Sequence, residues 1–381
     1  MAGKRGNGEG SVRLRSDGKT WEARLLVGYK ADGNPDRRSK YFKTQAEALK
    51  WLRETQTSIE RNEYVDSSKI TVAQWLETWI NEYIKPECKP TTIGAYLDAI
   101  RLHINPAIGR MQLQKLRSEH VQAMCNRMRE AGLKPSTVKK SRMVLSGALN
   151  QAVKNRIITR NVAECVDVKQ GQTEEIKPLS PEEQRAYMAA LPDTPSGRML
   201  TLILYTGLRI GEACGLRWQD VSANSFKVSQ TVRRVPTNDS NAESRTQIAT
   251  STPKTQNGRR EIPITKPVRE ILNTQREYQF AHGLYHNDGD LIFTTATGNP
   301  FEVRNVGRTH YGTLEKINAE KRGVHNLRHT FATRAVESGV MDYKTLSEIL
   351  GHSDVTTTLR LYVHSSKETK ATAMNALADI M

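Results

Sequence analysis

The chain has 381 residues, 37% hydrophobic and 26% charged, and a formal net charge of +16. That length suits two or three domains, and the composition suits a globular protein with no apolar run near the ~20 residues of a membrane span. Cys88, Cys125, Cys165 and Cys214 are scattered without C-x-x-C spacing, which argues against a disulfide framework or a zinc site.

The first stretch, MAGKRGNGEGSVRLRSDG, lacks the apolar core of a signal peptide, so an intracellular protein is expected. Its glycines follow no strand and precede no Lys-Ser/Thr, so they read as a flexible basic arm and not a phosphate loop. Three short strands are predicted next, broken by Ser-Asp-Gly and Ala-Asp-Gly-Asn-Pro turns. An amphipathic helix over 45–61 backs them. This small sheet carries Arg13, Arg15, Arg24, Arg37 and Arg38. It is suited to a major groove, which admits a two-stranded ribbon, or else to a protein partner.

Residues 69–165 read as four or five short helices forming a bundle. Thr71 is a plausible N-cap. A second helix restarts after Pro90 and is expected to stop at Pro106 and Gly109, and a third closes at Gly132. Lys134, Lys139, Lys140, Arg142, Lys154 and Arg156 crowd the last helix and its approach. Net charge is +4 over residues 1–66, +9 over 67–170 and +3 over 171–381. An excess concentrated in the middle points to a polyanion, with nucleic acid the usual one.

Residues 168–184 read as a polar linker ending at Ser180, an N-cap, and Pro181, a first helical position. Beyond it, four separated stretches carry chemistry. LYTGLRIGEACGLRWQDV places Arg209 before a short helix with Glu212. TPKTQNGRREIPI is a basic turn with Lys254 near its tip, leading into a strand over Glu261–Ile264. HNLRHT supplies His325 and Arg328 on a helix whose Leu327, Phe331 and Ala335 recur every fourth residue. EILGHSDVTTTLRLYVH supplies His352 and Tyr362, with Gly351 a natural helix stop and Ser353 a cap for the next helix.

Taken jointly, in this order and spacing, these stretches across residues 171–381 resemble the tyrosine recombinases, the phage-integrase family. The likeness is closest to integrases of temperate phages and conjugative transposons. The first two segments resemble, less sharply, that family's arm-type and core-binding DNA domains. The expected fold is therefore multidomain α+β. It comprises an arm domain of a three-stranded sheet plus helix (1–66), an all-α core-binding bundle (67–170) and a mostly α catalytic domain with a small β-sheet (171–381).

The resemblance implies a site-specific integrase that integrates and excises a mobile element. Tyr362 would attack a DNA phosphate and form a 3′-phosphotyrosine, with Lys254 as general acid and His325 and His352 assisting proton transfer. Arg209 and Arg328 supply always-charged forks suited to phosphate oxygens. The i, i+3 spacing puts His325 and Arg328 on one helical face, so a DNA phosphate would be the counter-charge of Arg328. His329 and Arg334 are left outside the site. Covalent catalysis conserves the bond energy, so no ATP is expected, and the cationic side chains take the role a magnesium would play, so no metal or other cofactor is expected.

The implied partners are double-stranded DNA, a homotetramer on two sites, and an excisionase or DNA-bending protein, in a cytoplasmic, nucleoid-associated setting. Arg13, Arg15, Arg24, Lys134, Lys139, Lys140 and Arg142 are the candidate DNA contacts. A type IB topoisomerase and a non-catalytic DNA-binding regulator are the alternatives, the second leaving Arg209, Lys254 and Tyr362 without a purpose.

Two features stay open. The polar insertion between an expected strand over SFKVSQTVRRV and Lys254 is either a disordered loop or added strands, and it leaves Lys227, Arg259 and Arg260 as competitors of Lys254. The tail residues Ala371, Met374, Leu377 and Met381 share a helical spacing and would dock on the chain's own domain or on a neighbour.

Overall fold

In the computed structural model the chain divides into two compact units, Met1–Gln172 and Thr173–Met381. The structure describes residues 10–29, 32–60, 64, 68–169, 177–237, 244, 246–251, 258–352, 354, 356 and 378.

The first unit begins with strands β1 (Ser11–Leu14), β2 (Trp21–Tyr29) and β3 (Pro35–Phe42), an antiparallel sheet in sequence order. Asp17 Oδ1 accepts from the backbone N–H groups of Lys19 and Thr20, which closes the first turn. Helix α1 (Gln45–Glu60) covers one face, burying Ala48 and Leu52 against a strand that buries Ala23 and Leu25. The two-residue period then turns Arg13, Arg24, Arg37 and Tyr41 to the other face, in register with Glu22, Ser39, Leu26 and Glu22 respectively. Arg38 lies in register with Leu25 and pairs with Asp36 at 2.8 Å.

The helical part of this unit comprises α2 (Val72–Trp79), α3 (Pro90–Ala99), α4 (Asn105–Ile108), α5 (Ser118–Glu130) and α6 (Pro135–Lys154). Thr71 and Gln74 form a reciprocal capping box at the start of α2. Trp75, Leu76, Ile104, Val121, Met124, Leu145 and Leu149 form the core, and the Trp75 indole donates to the Ala148 carbonyl at 2.8 Å.

Pro106 does not stop the helix as the sequence predicts. A wide turn over Ile100–Ile104 joins α3 to α4, with the Asn105 N–H bonded to Ile100 O. The proline ring therefore enters as if in the first turn of a new helix, where no N–H is required.

In the second unit Ser180 caps α7 (Pro181–Ala190) in a capping box with Glu183, followed by α8 (Pro195–Thr206) and the single turn α9 (Ile210–Ala213). The run SFKVSQTVRRV is two strands and not one. β4 (Ser225–Val228) pairs with β7 (Arg260–Pro263), and β5 (Thr231–Pro236) pairs with β6 (Thr246–Ser251). The described part of the insertion thus adds a strand, Pro236 facing Thr246 across the hairpin. Helices α10 (Lys266–Ala281), α11 (Val303–Lys316), α12 (His325–Glu337) and α13 (Tyr343–Leu350) complete the unit. Met199, Leu202, Ile203, Trp218, Phe226, Phe293, Leu314 and Leu327 make its core.

Among the described residues, no helix is long and apolar enough to cross a membrane. Lys254, Ser353, Tyr362 and the tail residues Ala371, Met374, Leu377 and Met381 lie outside the described residues.

Candidate active site

The site is organised around the C-terminus of α13. A helix leaves its last carbonyls without intrahelical donors and concentrates negative potential there. Here three consecutive carbonyls each accept from an arginine of a different element. Ile349 O accepts from Arg260 Nε of β7. Leu350 O accepts from Arg328 Nη2 of α12 at 2.7 Å. Gly351 O accepts from Arg209 Nη2, just before α9, at 3.1 Å. Arg328 Nη1 also donates to Gly207 O at 2.8 Å, so its fork joins the ends of α8 and α13.

Two glycines make this convergence possible. Gly207 (φ 65°) and Gly351 (φ 66°) both adopt the left-handed conformation that ends a helix. A Cβ at Gly207 would lie 2.5 Å from Phe331 and 2.8 Å from Leu350, so only glycine lets α8 end against α12 and α13.

Glu212 supplies the charge balance. Its carboxylate is buried, with 2% of the side chain exposed. Oε1 accepts from Arg209 Nη1 at 2.8 Å and Arg260 Nη1 at 3.2 Å. Oε2 accepts from the Arg209 N–H at 2.9 Å and Arg260 Nη2 at 2.8 Å. Burial alone would raise its pKa, but Arg260 and then Arg209 hold it at about 2.

Burial, and next the charge of Arg209, push Arg328 down to about 9 against the opposing pull of Glu212. At neutral pH it remains a cation. Without DNA the Arg328 fork is held by the carbonyls of Gly207 and Leu350, while Glu212 only partly offsets the burial and the charge of Arg209.

Both site histidines are neutral at pH 7. His325 opens α12 and its pKa falls to about 4 through loss of hydration, then the charges of His329, Arg328 and Arg209. His352 falls to about 4 through burial, then Arg328, Arg209, His329 and Arg260. The His325 and His329 rings meet edge to face, centroids 4.7 Å apart. A cleft of about 840 Å³ opens beside Arg209 and His325, and Arg233, Arg234 and Arg304 also line it.

Four of the six expected catalytic residues, Arg209, His325, Arg328 and His352, thus lie around one helix end. Arg334 bonds Leu179 O at 2.6 Å and Gln184 at 3.2 Å, anchoring α12. Among the competitors of Lys254, Arg260 is only 6% exposed and fully engaged, whereas Lys227 and Arg259 are exposed. Sequence reasoning left Glu212 without a role and weighed Arg260 only as a competitor of Lys254, yet both bond at the centre of this cluster. The Arg-x-x-Glu spacing was the available signal for Glu212, because N3 of a short helix faces back to its cap.

The candidate DNA contacts differ in their surroundings. Lys134, Lys139 and Lys140 are exposed at the start of α6. Arg142 instead turns inward, its Nη1 donating to Ala163 O at 2.9 Å. Arg13 pairs with Glu22 at 2.7 Å, Arg15 stacks over Tyr41 at 5.0 Å, and Arg24 is exposed. Among the described residues, no group of three or more His, Cys, Asp or Glu is placed to hold a metal ion.

Comparison with known proteins bears on the same regions. The model of the phage integrase family matches residues 177–369, and that of the phage integrase N-terminal SAM-like domain matches residues 71–129. A tyrosine recombinase XerC-like protein of Caldanaerobacter subterraneus subsp. tengcongensis is 29% identical over 374 residues, covering 93% of this chain and 95% of the relative. The ICEBs1 integrase of Bacillus subtilis is 25% identical, covering 74% and 76%. Among solved structures, the Tn1549 transposon integrase in complex with transposon right end DNA superposes with a TM-score of 0.69 at 25% identity, covering 81% of this chain and 99% of that one. A lambda integrase tetramer bound to a Holliday junction shares the fold at 15% identity, with a TM-score of 0.58 over 94% of this chain and 96% of that one.

Proposed function

This chain belongs to the phage integrase family, and we propose that Arg209, His325, Arg328 and His352 hold and activate the scissile phosphate of its DNA substrate. The protein is a tyrosine site-specific recombinase, which cuts and rejoins DNA strands through a 3′-phosphotyrosine intermediate. The observation that carries the site assignment is the meeting of Arg209, Arg328 and His352 at the α13 terminus, with His325 within electrostatic reach.

Negative charge builds on the non-bridging oxygens as the phosphoryl group transfers, so cations held rigidly before substrate arrives lower the barrier most. Three arginines against one carboxylate leave a net charge of about +2 here at neutral pH. The Tyr362 oxygen forms the new bond to phosphorus while the bond to the 5′-oxygen breaks, and Lys254 delivers the proton which that oxygen needs. Both assignments rest on the motif. The bound phosphate raises the pKa of His325 and His352 from about 4 toward the working range, so either can exchange the phenol proton.

The division into an arm domain (1–66), a core-binding bundle (67–170) and a catalytic domain (171–381) belongs to the same reading. So do a tetramer on two DNA sites, an accessory excisionase or DNA-bending protein, and a nucleoid location. The helix-free face of the arm sheet, with Arg13, Arg24 and Arg37, supports a role in DNA binding.

The test uses nicked duplexes from the DNA flanking the gene, incubated with wild type and with Tyr362→Phe and run on a denaturing protein gel. A slower band from wild type alone is the expected result. An equal band from Tyr362→Phe would overturn the assignment of the nucleophile.

A further inference from the structure

Arg260 is not among the residues assigned above, yet it bonds both Glu212 and the end of α13. It projects from β7, which directly follows the basic turn bearing Lys254. Its fork meets both oxygens of Glu212, at 2.8 and 3.2 Å, and its Nε donates to Ile349 O. Nη1 also reaches Gly258 O at 3.4 Å. Its Nε and both Nη nitrogens are thus all engaged by protein acceptors, and only 6% of the side chain is exposed.

We infer that Arg260 is a positioning residue for strand cleavage, holding Glu212 in the orientation that aims Arg209 and tying β7 to the end of α13. The inference rests on the recombinase reading. Two arguments support it, one geometric and one electrostatic.

Each Glu212 oxygen is shared between Arg209 and Arg260, so neither arginine can draw the carboxylate to itself. Without Arg260, Glu212 is free to follow Arg209, and the guanidinium loses its fixed direction. Lysine cannot replace the fork, because one ammonium cannot reach two carboxylate oxygens and a carbonyl in fixed planar geometry. The charge balance points the same way. With Arg260 present, Glu212 is neutralised from behind and Arg209 keeps its positive charge for a phosphate. With Arg260 removed, the carboxylate neutralises Arg209 itself, and the site loses one unit of positive charge where the transition state gains negative charge. The anchor at Ile349 O adds a mechanical link, since the same helix end carries His352.

The experiment measures single-turnover formation of the covalent adduct on the nicked duplex, DNA affinity by native gel, and thermal unfolding. Arg260→Lys and Arg260→Met are each made in wild type and in a Glu212→Gln background. Cleavage should fall about 10-fold or more in both single variants, as expected for a lost orienting contact, while DNA affinity stays within about twofold. In the Glu212→Gln background the further loss from Arg260→Met should shrink to about threefold or less, because residues acting through one contact are not additive.

Cleavage within about twofold of wild type in both variants would overturn the inference, as would equal losses in the two backgrounds. If cleavage falls only in step with the folded fraction, or neither variant folds, Arg260 is a structural clamp alone and the inference is likewise overturned. An absent adduct with wild type itself would count against the recombinase reading and not specifically against Arg260.

Discussion

Replacing Gly207 with alanine tests whether the site depends on how closely three helices approach. Gly207 ends α8 at φ 65°, and its carbonyl accepts from Arg328. The substitution has two costs. Holding a residue with a Cβ in the left-handed region costs about 1 kcal/mol relative to glycine. The new methyl would also lie 2.5 Å from Phe331 and 2.8 Å from Leu350, well inside contact. Overpacking of that kind costs about 1–3 kcal/mol, so the sum is about 2–4 kcal/mol.

Gly283 provides the control. It has nearly the same conformation, φ 63°, but nothing within 4 Å of an added Cβ, so Gly283→Ala should cost only the conformational part, about 1 kcal/mol. Urea unfolding of both variants isolates the packing part as their difference. Because relief of the clash must displace Phe331 of α12 or Leu350 of α13, Gly207→Ala should also slow adduct formation on the nicked duplex, with DNA affinity preserved. Equal destabilisation of the two variants, or a Gly207→Ala protein that cleaves at the wild-type rate, would refute the reasoning.

Histidine titration by NMR should find the imidazoles of His325 and His352 still neutral at pH 5.5 in the DNA-free protein, and raised on binding DNA to the Tyr362→Phe variant. Their folded pKa lies below the ordinary value of 6.5, so the unfolded chain binds protons first. The DNA-free protein should therefore lose stability as pH falls from about 6.5 toward 4, which acid unfolding will follow. Lys139→Gln and Lys140→Gln should each lower the slope of log affinity against log salt by about 0.9 if they contact phosphates. Arg142→Gln, whose guanidinium bonds Ala163 O, should leave that slope unchanged and instead lower the melting temperature. In the buried pair Tyr187 Oη to His310 Nδ1, 2.7 Å apart, Tyr187→Phe leaves a ring nitrogen without its partner. It should cost about 1–3 kcal/mol by urea unfolding.

Much of this protein was legible in its sequence, because its signals are local. Capping at Thr71, Ser180 and Gly351 depends on neighbouring residues alone, and the structure ends or begins helices there. The turns that break the first strands and the positive middle segment were equally visible. So was the order of the four motifs, which carried the family resemblance. The local rules failed where a longer-range partner decided the outcome. Pro106 reads as a stop, yet the wide turn over Ile100–Ile104 lets the helix run on to Ile108. The single strand expected over SFKVSQTVRRV divides because its halves pair with different strands, one of them from an insertion whose role spacing could not show.

The identity of the site residues came from sequence, but their electrostatics came only from the fold. Arg209 and Glu212 share one stretch while Arg260 and Arg328 lie on two others, and nothing in their spacing says that one carboxylate is shared by two arginines. Nor does it say that three arginines meet three successive carbonyls of one helix end. Arg260 in particular reads as one more cation in a basic turn. Its guanidinium bonds Glu212 and Ile349 O, and only the closure of β7 against α13 turns its charge inward. Motifs specify which groups a reaction needs. Packing decides which of them face the substrate and which hold the others in place.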